Sequence, residues 1–134
     1  MRVKTNDLLD REKLVLDMLW SSEMGLTSVD MLKLEPEKLD NATYVHRTIN
    51  RLIEKNLIEV CGSERSGKQY ARRFKATVTR EEFVADKIVE NGIKLDDFDD
   101  VAMALFKHSS EKSFKDKKKY ISKLQEIIDN LNAN

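Results

Sequence analysis

The chain has 134 residues, 40% of them hydrophobic, which is enough for one modest core and too many for wholesale disorder. Its 24 basic and 24 acidic side chains give a net charge of zero. Its single cysteine excludes an intramolecular disulfide and a multi-cysteine metal site, and we expect neither a metal nor a cofactor. The longest apolar run, residues 101–106, is far shorter than the roughly 20 residues of a membrane helix, so we expect no direct membrane insertion. The first residues show no apolar segment of signal-peptide length, and we therefore expect a cytoplasmic protein.

The first forty residues predict two helices and a loop. An apolar stripe within residues 14–19 is typical of an amphipathic helix that ends near residue 21. Gly25 then interrupts the pattern, and Thr27 is placed to cap a short second helix. Residues 35–41 contain the only proline and show no periodicity, which predicts a loop.

Residues 42–55 predict a third helix with two distinct faces. Its inward apolar positions recur at helical spacing, and they are Val45, Ile49, Leu52 and Ile53. Tyr44, Arg47 and Arg51 fall largely on the opposite face, and Asn56 is placed as a left-handed C-cap.

The chain after residue 56 predicts a β-hairpin and then three helices. Residues 57–61 and 70–78 are β-compatible, and the glycine-punctuated segment 62–68 between them predicts a turn with a basic tip. Thr79 and Glu82 fit a capping box, which starts a helix that reaches Gly92. Two more helices are predicted over residues 96–107 and 112–131, the last with apolar residues at heptad a and d spacing.

The positive charge is concentrated in one segment. Residues 41–78 carry 8 basic and 3 acidic side chains, a net charge of +5, whereas residues 1–40 and 79–134 carry −3 and −2. Alone, this could be a chance fluctuation on a charge-rich surface. Three helices followed by a hairpin, however, is the order of a winged helix-turn-helix domain, whose third helix enters the major groove. The basic segment coincides with that helix and hairpin, which predicts a DNA-binding surface.

The predicted DNA-binding residues are Thr43, Tyr44, Arg47, Arg51, Arg65 and Lys68. Arg47 and Arg51 lie one turn apart and are suited to guanine edges or phosphates. Thr43 and Tyr44 lie near the helix start, where side chains and backbone N–H groups approach phosphates. The two hairpin-tip cations are expected to contact phosphates without reading sequence. The structural alternatives are that Arg51 and Lys55 pair with nearby acids on a solvated helix face and that Tyr44 packs on the hairpin.

Three sequence blocks carry a family resemblance, and they are Asp10-Arg11-Glu12 with Leu19-Trp20, Asn50-Arg51-Leu52-Ile53-Glu54-Lys55-Asn56-Leu57-Ile58, and Val78-Thr79-Arg80-Glu81-Glu82-Phe83. Through them the chain resembles, over residues 8–90, the BlaI/MecI/CopY penicillinase-repressor family of bacterial transcriptional regulators. The resemblance implies a homodimer with an N-terminal winged helix and a C-terminal helical dimerisation region. The apolar seams of the last helices fit that plan, because a protein this small leaves them in need of a partner.

We therefore expect a mainly α protein with a small β-hairpin wing. Residues 1–78 would form the winged helix-turn-helix DNA-binding domain and residues 79–134 the dimerisation region. The expected dimerisation residues are Phe83, Ile88, Val101, Leu105, Ile121, Leu124, Ile128 and Leu131.

The chain also departs from the family pattern. No cysteine follows Cys61, which excludes the metal sensing by Cys-x-Cys pairs of the CopY branch. In the penicillinase branch a membrane sensor protease triggers cleavage within the dimerisation helices, and the resemblance implies such an upstream partner. The corresponding stretch here, residues 104–106, lacks the Asn-Phe pair of that branch.

The favoured interpretation is a dimeric repressor that binds a pseudo-palindromic, double-stranded DNA operator through the third helix. The alternative is a winged-helix module that binds another protein without sequence-specific DNA binding. An enzyme is disfavoured because Cys61 has no plausible triad, the two histidines stand far apart, and no phosphate-cradling glycine loop is present.

Overall fold

The computed structural model describes residues 8–109 and 114–133. Its elements in chain order are α1 (Asp10–Trp20), α2 (Ser28–Leu34), α3 (Pro36–Leu39), α4 (Ala42–Glu54), β1 (Ile58–Ser66), β2 (Gln69–Ala76), α5 (Arg80–Glu90), a 3-10 turn (Leu95–Asp97), α6 (Phe98–His108) and α7 (Phe114–Asn132). The two strands form one antiparallel hairpin. This order confirms the predicted mainly α, winged-helix fold class.

The chain divides into two compact units, Met1–Gly92 and Ile93–Asn134. The first unit therefore includes α5, which the sequence-based division at residues 78 and 79 assigns to the dimerisation region. That functional division stays a prediction. In the described part of the chain, no helix combines the length and the apolar character needed to cross a membrane.

The core of the first unit is formed by apolar side chains from its helices and from both strands. These buried residues are Val15, Leu16, Leu19, Met31, Leu39, Val45, Ile49, Leu52, Ile58, Phe74 and Phe83. Burying each such side chain contributes about 1.5–3 kcal/mol. Three of the four inward positions predicted in α4 belong to this core, whereas Ile53 is 36% exposed because it lies at the edge of the buried face.

Reciprocal capping boxes begin α2 and α5. The Thr27 hydroxyl accepts the Asp30 N–H at 3.1 Å, and the Asp30 carboxylate accepts the Thr27 N–H at 3.0 Å. Thr79 and Glu82 make the same pair of bonds, both at 3.1 Å. Each box satisfies backbone N–H groups that a helix start leaves without a partner, and both caps were predicted from the sequence.

Two local predictions were wrong. Residues 35–41, predicted as a loop, contain α3; Pro36 stands at its first turn, where a missing N–H costs nothing, and Leu39 at its end is fully buried. The hairpin turn is also shorter than predicted, because β1 continues to Ser66 and pairs with Gln69. The turn is therefore reduced to Gly67 and Lys68, with φ at +63° for Gly67, a value that glycine adopts readily.

Gly25 connects α1 to α2 beside the hairpin. Its φ is +84°, and a Cβ there would lie 2.6 Å from the Phe74 carbonyl oxygen and 2.7 Å from the Cys61 sulfur. The next residue, Leu26, exchanges two backbone hydrogen bonds with Phe74, so the hairpin cannot move away freely. We expect Gly25→Ala to lower the free energy of unfolding by about 1–3 kcal/mol in urea titrations.

The matched control is Gly62→Ala. A Cβ at Gly62 meets no atom within 4 Å, so the expected change is below about 0.5 kcal/mol. Equal destabilisation by the two substitutions would contradict the close approach described at Gly25.

The second unit buries none of the side chains described in residues 93–109 and 115–133. Phe106 on α6 and Tyr120 on α7 contact edge to face, with ring centroids 5.2 Å apart. The two helices flank an open groove whose largely apolar lining is Phe98, Ala102, Met103, Leu105, Phe106, Lys117, Tyr120, Ile121, Lys123, Leu124 and Ile127.

The predicted dimerisation residues are divided between the two units. Six of them lie exposed or half-buried in the second unit, and they are Val101, Leu105, Ile121, Leu124, Ile128 and Leu131. Ile88 is half-buried in the first unit. Phe83 differs from all of these, because only 1% of it is exposed and its ring lies 5.3 Å from that of Trp20. The Phe83 ring therefore packs in the core of its own chain.

Candidate nucleic-acid interface

The orientation of α4 is set by its buried face. Val45, Ile49 and Leu52 are at most 2% exposed, and the Thr48 hydroxyl donates to the Tyr44 carbonyl at 2.8 Å. At the helix start, the Asn41 side chain accepts the Tyr44 N–H at 3.1 Å. This anchoring leaves the opposite face of α4 in solvent.

The outer face of α4 forms a shallow, open depression. Its lining residues are Thr43, His46, Arg47, Asn50, Arg51, Glu54 and Lys55. Three of the six predicted DNA-binding residues, Thr43, Arg47 and Arg51, thus lie together and exposed. Among the described residues no ion pair joins Arg47 or Arg51 to a carboxylate. The sequence analysis did not assign His46 and Asn50 to this surface, although both share its helical face.

Two guanidinium groups lie close to the Tyr44 ring. The Arg47 Cζ is 5.5 Å from the centroid of the Tyr44 ring, and the Arg11 Cζ is 4.8 Å from it. Both distances are within the range of a cation–π contact. The Tyr44 ring, at the start of α4, therefore makes cation–π contacts with one arginine of α4 and one of α1. The sequence analysis missed Arg11, whose own segment is net acidic.

Arg65 and Lys68 lie at the exposed end of the hairpin. The Arg65 Nε donates to the Gly67 carbonyl at 3.2 Å across the turn, and Lys68 is the second turn residue. Both residues are exposed, so phosphate contacts are available to their side chains.

Ion pairs neutralise two other cations of the hairpin. Arg73 pairs with Glu64, and the Lys75 Nζ lies 3.5 Å from the Glu59 carboxylate. No carboxylate pairs with Arg72 in the described part of the chain. The net positive charge of the hairpin thus rests on its tip and on Arg72.

A buried ion pair connects the end of α4 to the start of α1. The Lys55 Nζ lies 2.6 Å from the Glu12 carboxylate, whose side chain is only 1% exposed. The second oxygen of Glu12 accepts the Leu9 N–H at 3.3 Å. These bonds help to position the outer face of α4 relative to α1.

Within residues 8–109 and 114–133, no group of three or more His, Cys, Asp or Glu side chains is arranged to hold an ion.

The sequence profile of the penicillinase repressor family matches residues 8–130. Comparison with curated proteins gives no match. Among solved structures, a MepR variant of S. aureus bound to an oligodeoxyribonucleotide is 17% identical, with a TM-score of 0.50 and coverage of 94% of this chain and 81% of that chain. A MepR variant from a multidrug-resistant S. aureus clinical isolate is also 17% identical, with a TM-score of 0.48 and coverage of 95% and 81%. At this identity the first likeness shows the winged-helix fold.

Proposed function

The chain is a member of the penicillinase repressor family, and on that premise we propose that it is a dimeric repressor that binds a pseudo-palindromic DNA operator in the cytoplasm. Residues 1–78 would hold the DNA-binding surface, and the residues after 78 would hold the two copies together.

The observation that carries this proposal is the outer face of α4. It exposes Arg47 and Arg51 one turn apart, without carboxylate partners among the described residues, on a helix whose other face is anchored in the core. A major groove admits one α-helix, and an arginine fork matches the acceptor pair of guanine. In this arrangement α4 reads base edges and phosphates, while Arg65 and Lys68 contact the flanking backbone.

The second unit supports the dimer. Its described side chains include no buried residue, and its apolar groove and the seam of α7 stay open to solvent in a single chain. A segment of about 40 residues that buries so little does not form a stable core alone. Pairing of two copies would cover these residues and link two α4 helices, which would bind half-sites about 34 Å apart, one turn of DNA.

We expect Arg47→Ala to reduce sequence selectivity and Lys68→Ala to reduce affinity for all duplexes. Arg47→Ala should reduce the discrimination between the preferred duplex and its single-base variants by about 1–3 kcal/mol. Lys68→Ala should weaken binding to all duplexes alike and reduce the slope of log affinity against log salt by about 1. Fluorescence anisotropy with preferred and scrambled duplexes measures both effects. Equal selectivity of the Arg47 variant and the parent would remove Arg47 from base recognition.

Selection from a randomised duplex pool tests the proposed function itself. We expect enrichment of a palindromic consensus, with binding that falls steeply between two salt concentrations. No duplex binding even at low salt, together with co-purification of a protein partner, would favour the alternative, a winged-helix protein-interaction module.

We further propose an upstream membrane sensor protease as the partner that ends repression. Its family-type target would be residues 104–106 in α6, where Leu105 is 67% exposed. A cut there would separate α7 from the DNA-binding unit and remove the gain from two linked half-sites. Operator affinity that is unchanged after cutting at this stretch would contradict this route of control.

A further inference from the structure

Two arginines from distant parts of the sequence share one aromatic ring at the start of α4. Arg11 is the second residue of α1 and lies 4.8 Å from the Tyr44 centroid, while Arg47, one turn further along α4, lies 5.5 Å from it. Arg11 is half-buried, and no ion pair links it to a carboxylate in the described ranges. Two like charges thus lie beside one ring, and no carboxylate of the described residues pairs with either of them.

We propose that Arg11 is a further phosphate-contacting residue of the DNA interface and that Tyr44 is the positioning residue that aligns Arg11 with Arg47. The inference rests on the proposed function, since it assigns an additional residue to the same duplex. It extends the interface from α4 and the hairpin to the first turn of α1.

The chemistry of the site favours a phosphate as the occupant. A guanidinium stacked on a ring keeps its N–H donors available at the edge, and a planar fork matches two phosphate oxygens. The first backbone N–H groups of α4 lie at the same helix start, where the helix dipole also favours an anion. An anion that accepts from both guanidiniums would offset their like charges, so the site favours a ligand that carries negative charge.

The ring explains how an arginine of α1 becomes part of this surface. A cation–π contact biases a long side chain toward the rotamer that places its cation over the ring. Holding Arg11 in advance reduces the ordering cost when DNA binds. Tyr44 would thus act through the arginines, whether or not its hydroxyl touches the duplex.

The test compares two substitutions that each remove one positive charge from α1. Arg11→Gln should reduce the magnitude of the slope of log affinity against log salt by about 0.9, so that the ratio of parent to variant affinity falls about 3.5-fold between 50 and 200 mM salt. Lys13→Gln is the matched control. Lys13 already pairs with Asp17 at 2.8 Å and lies over Trp20, so its slope should equal that of the parent.

Substitution of Tyr44 tests the positioning role. Tyr44→Phe keeps a ring over which both cations can lie, and the parent slope should be retained. Tyr44→Leu removes the ring, and the slope should decrease toward that of Arg11→Gln. Arg11→Gln should then change the slope much less in the Tyr44→Leu background than in the parent. The difference between these two changes measures the coupling between Arg11 and Tyr44.

The outcomes separate this inference from the proposed function. A parent that binds no duplex overturns both. A parent with steep salt dependence and an Arg11→Gln variant of unchanged slope overturns the role of Arg11 alone. Equal slopes for Tyr44→Leu and Tyr44→Phe, or full additivity in the double variant, overturn the positioning role of Tyr44. Thermal melts by circular dichroism establish that each variant is folded at the assay temperature.

Discussion

Replacing Leu124 and Ile128 by glutamate is expected to leave the protein monomeric and to lower its operator affinity by about 100-fold or more. Both side chains lie on the heptad seam of α7, where they are 42% and 49% exposed in a single chain. In the proposed dimer they would be covered by the partner copy. Four carboxylates, two from each copy, would then be brought together in an apolar contact, and dissociation avoids their desolvation.

The expected 100-fold loss of affinity follows from the way a dimer binds two half-sites at once. When one α4 of a dimer is bound, the second meets its half-site at an effective concentration near the millimolar range, which gains about 10²–10⁴ in affinity over a single site. A monomer loses this gain while its own DNA contacts stay intact. Analytical ultracentrifugation gives the oligomeric state, and anisotropy on full and half operators gives the affinities.

The control is Ser122→Glu, which adds one negative charge per copy, against two in the double variant, at an exposed position of α7 outside the seam. It should leave both the sedimentation coefficient and the operator affinity near the parent values. A double glutamate variant that stays dimeric would show that the seam of α7 is not the dimer contact. Because the affected side chains are already exposed in one chain, the first unit should keep its melting temperature.

Glu12→Ala is expected to lower the free energy of unfolding by about 3–4 kcal/mol. The carboxylate is 1% exposed and accepts from the Lys55 ammonium at 2.6 Å and from the Leu9 N–H at 3.3 Å. Its removal leaves the Lys55 charge beside the core, although Lys55, 21% exposed, keeps some contact with water. Urea unfolding followed by circular dichroism measures the change.

A second ion pair on the same helix is the control. Lys13 and Asp17 lie 2.8 Å apart, with side chains 45% and 43% exposed, and Lys13→Gln should cost only about 0.3–0.5 kcal/mol. Combining Glu12→Leu with Lys55→Met should recover most of the stability, because an apolar pair needs no desolvation of charge. A Glu12→Ala variant as stable as Lys13→Gln would show that the buried pair contributes no more than a surface pair.

Local pattern predicted most of the elements of the fold. The spacing of apolar residues in α4 indicated which face is buried, and Thr27 and Thr79 indicated where α2 and α5 begin. The prediction failed at α3, where the local sequence pattern is weak and packing against distant residues stabilises the helix. The short helix α3 lacks periodicity, and its burial of Leu39 becomes visible only in the folded unit.

Periodicity, capping and charge are properties of neighbouring residues, so the winged-helix class and the outward arginines of α4 were predictable from the chain alone, and three sequence blocks carried the family resemblance. The tertiary structure alone decided what meets across the chain. It brought Arg11 to Tyr44, paired Glu12 with Lys55, and placed Phe83 in the core against Trp20. Helical spacing determines the face on which a residue lies, but the angle and separation at which two helices pack depend on the whole core. The acidic segment that begins the chain therefore contributes an arginine to the basic surface.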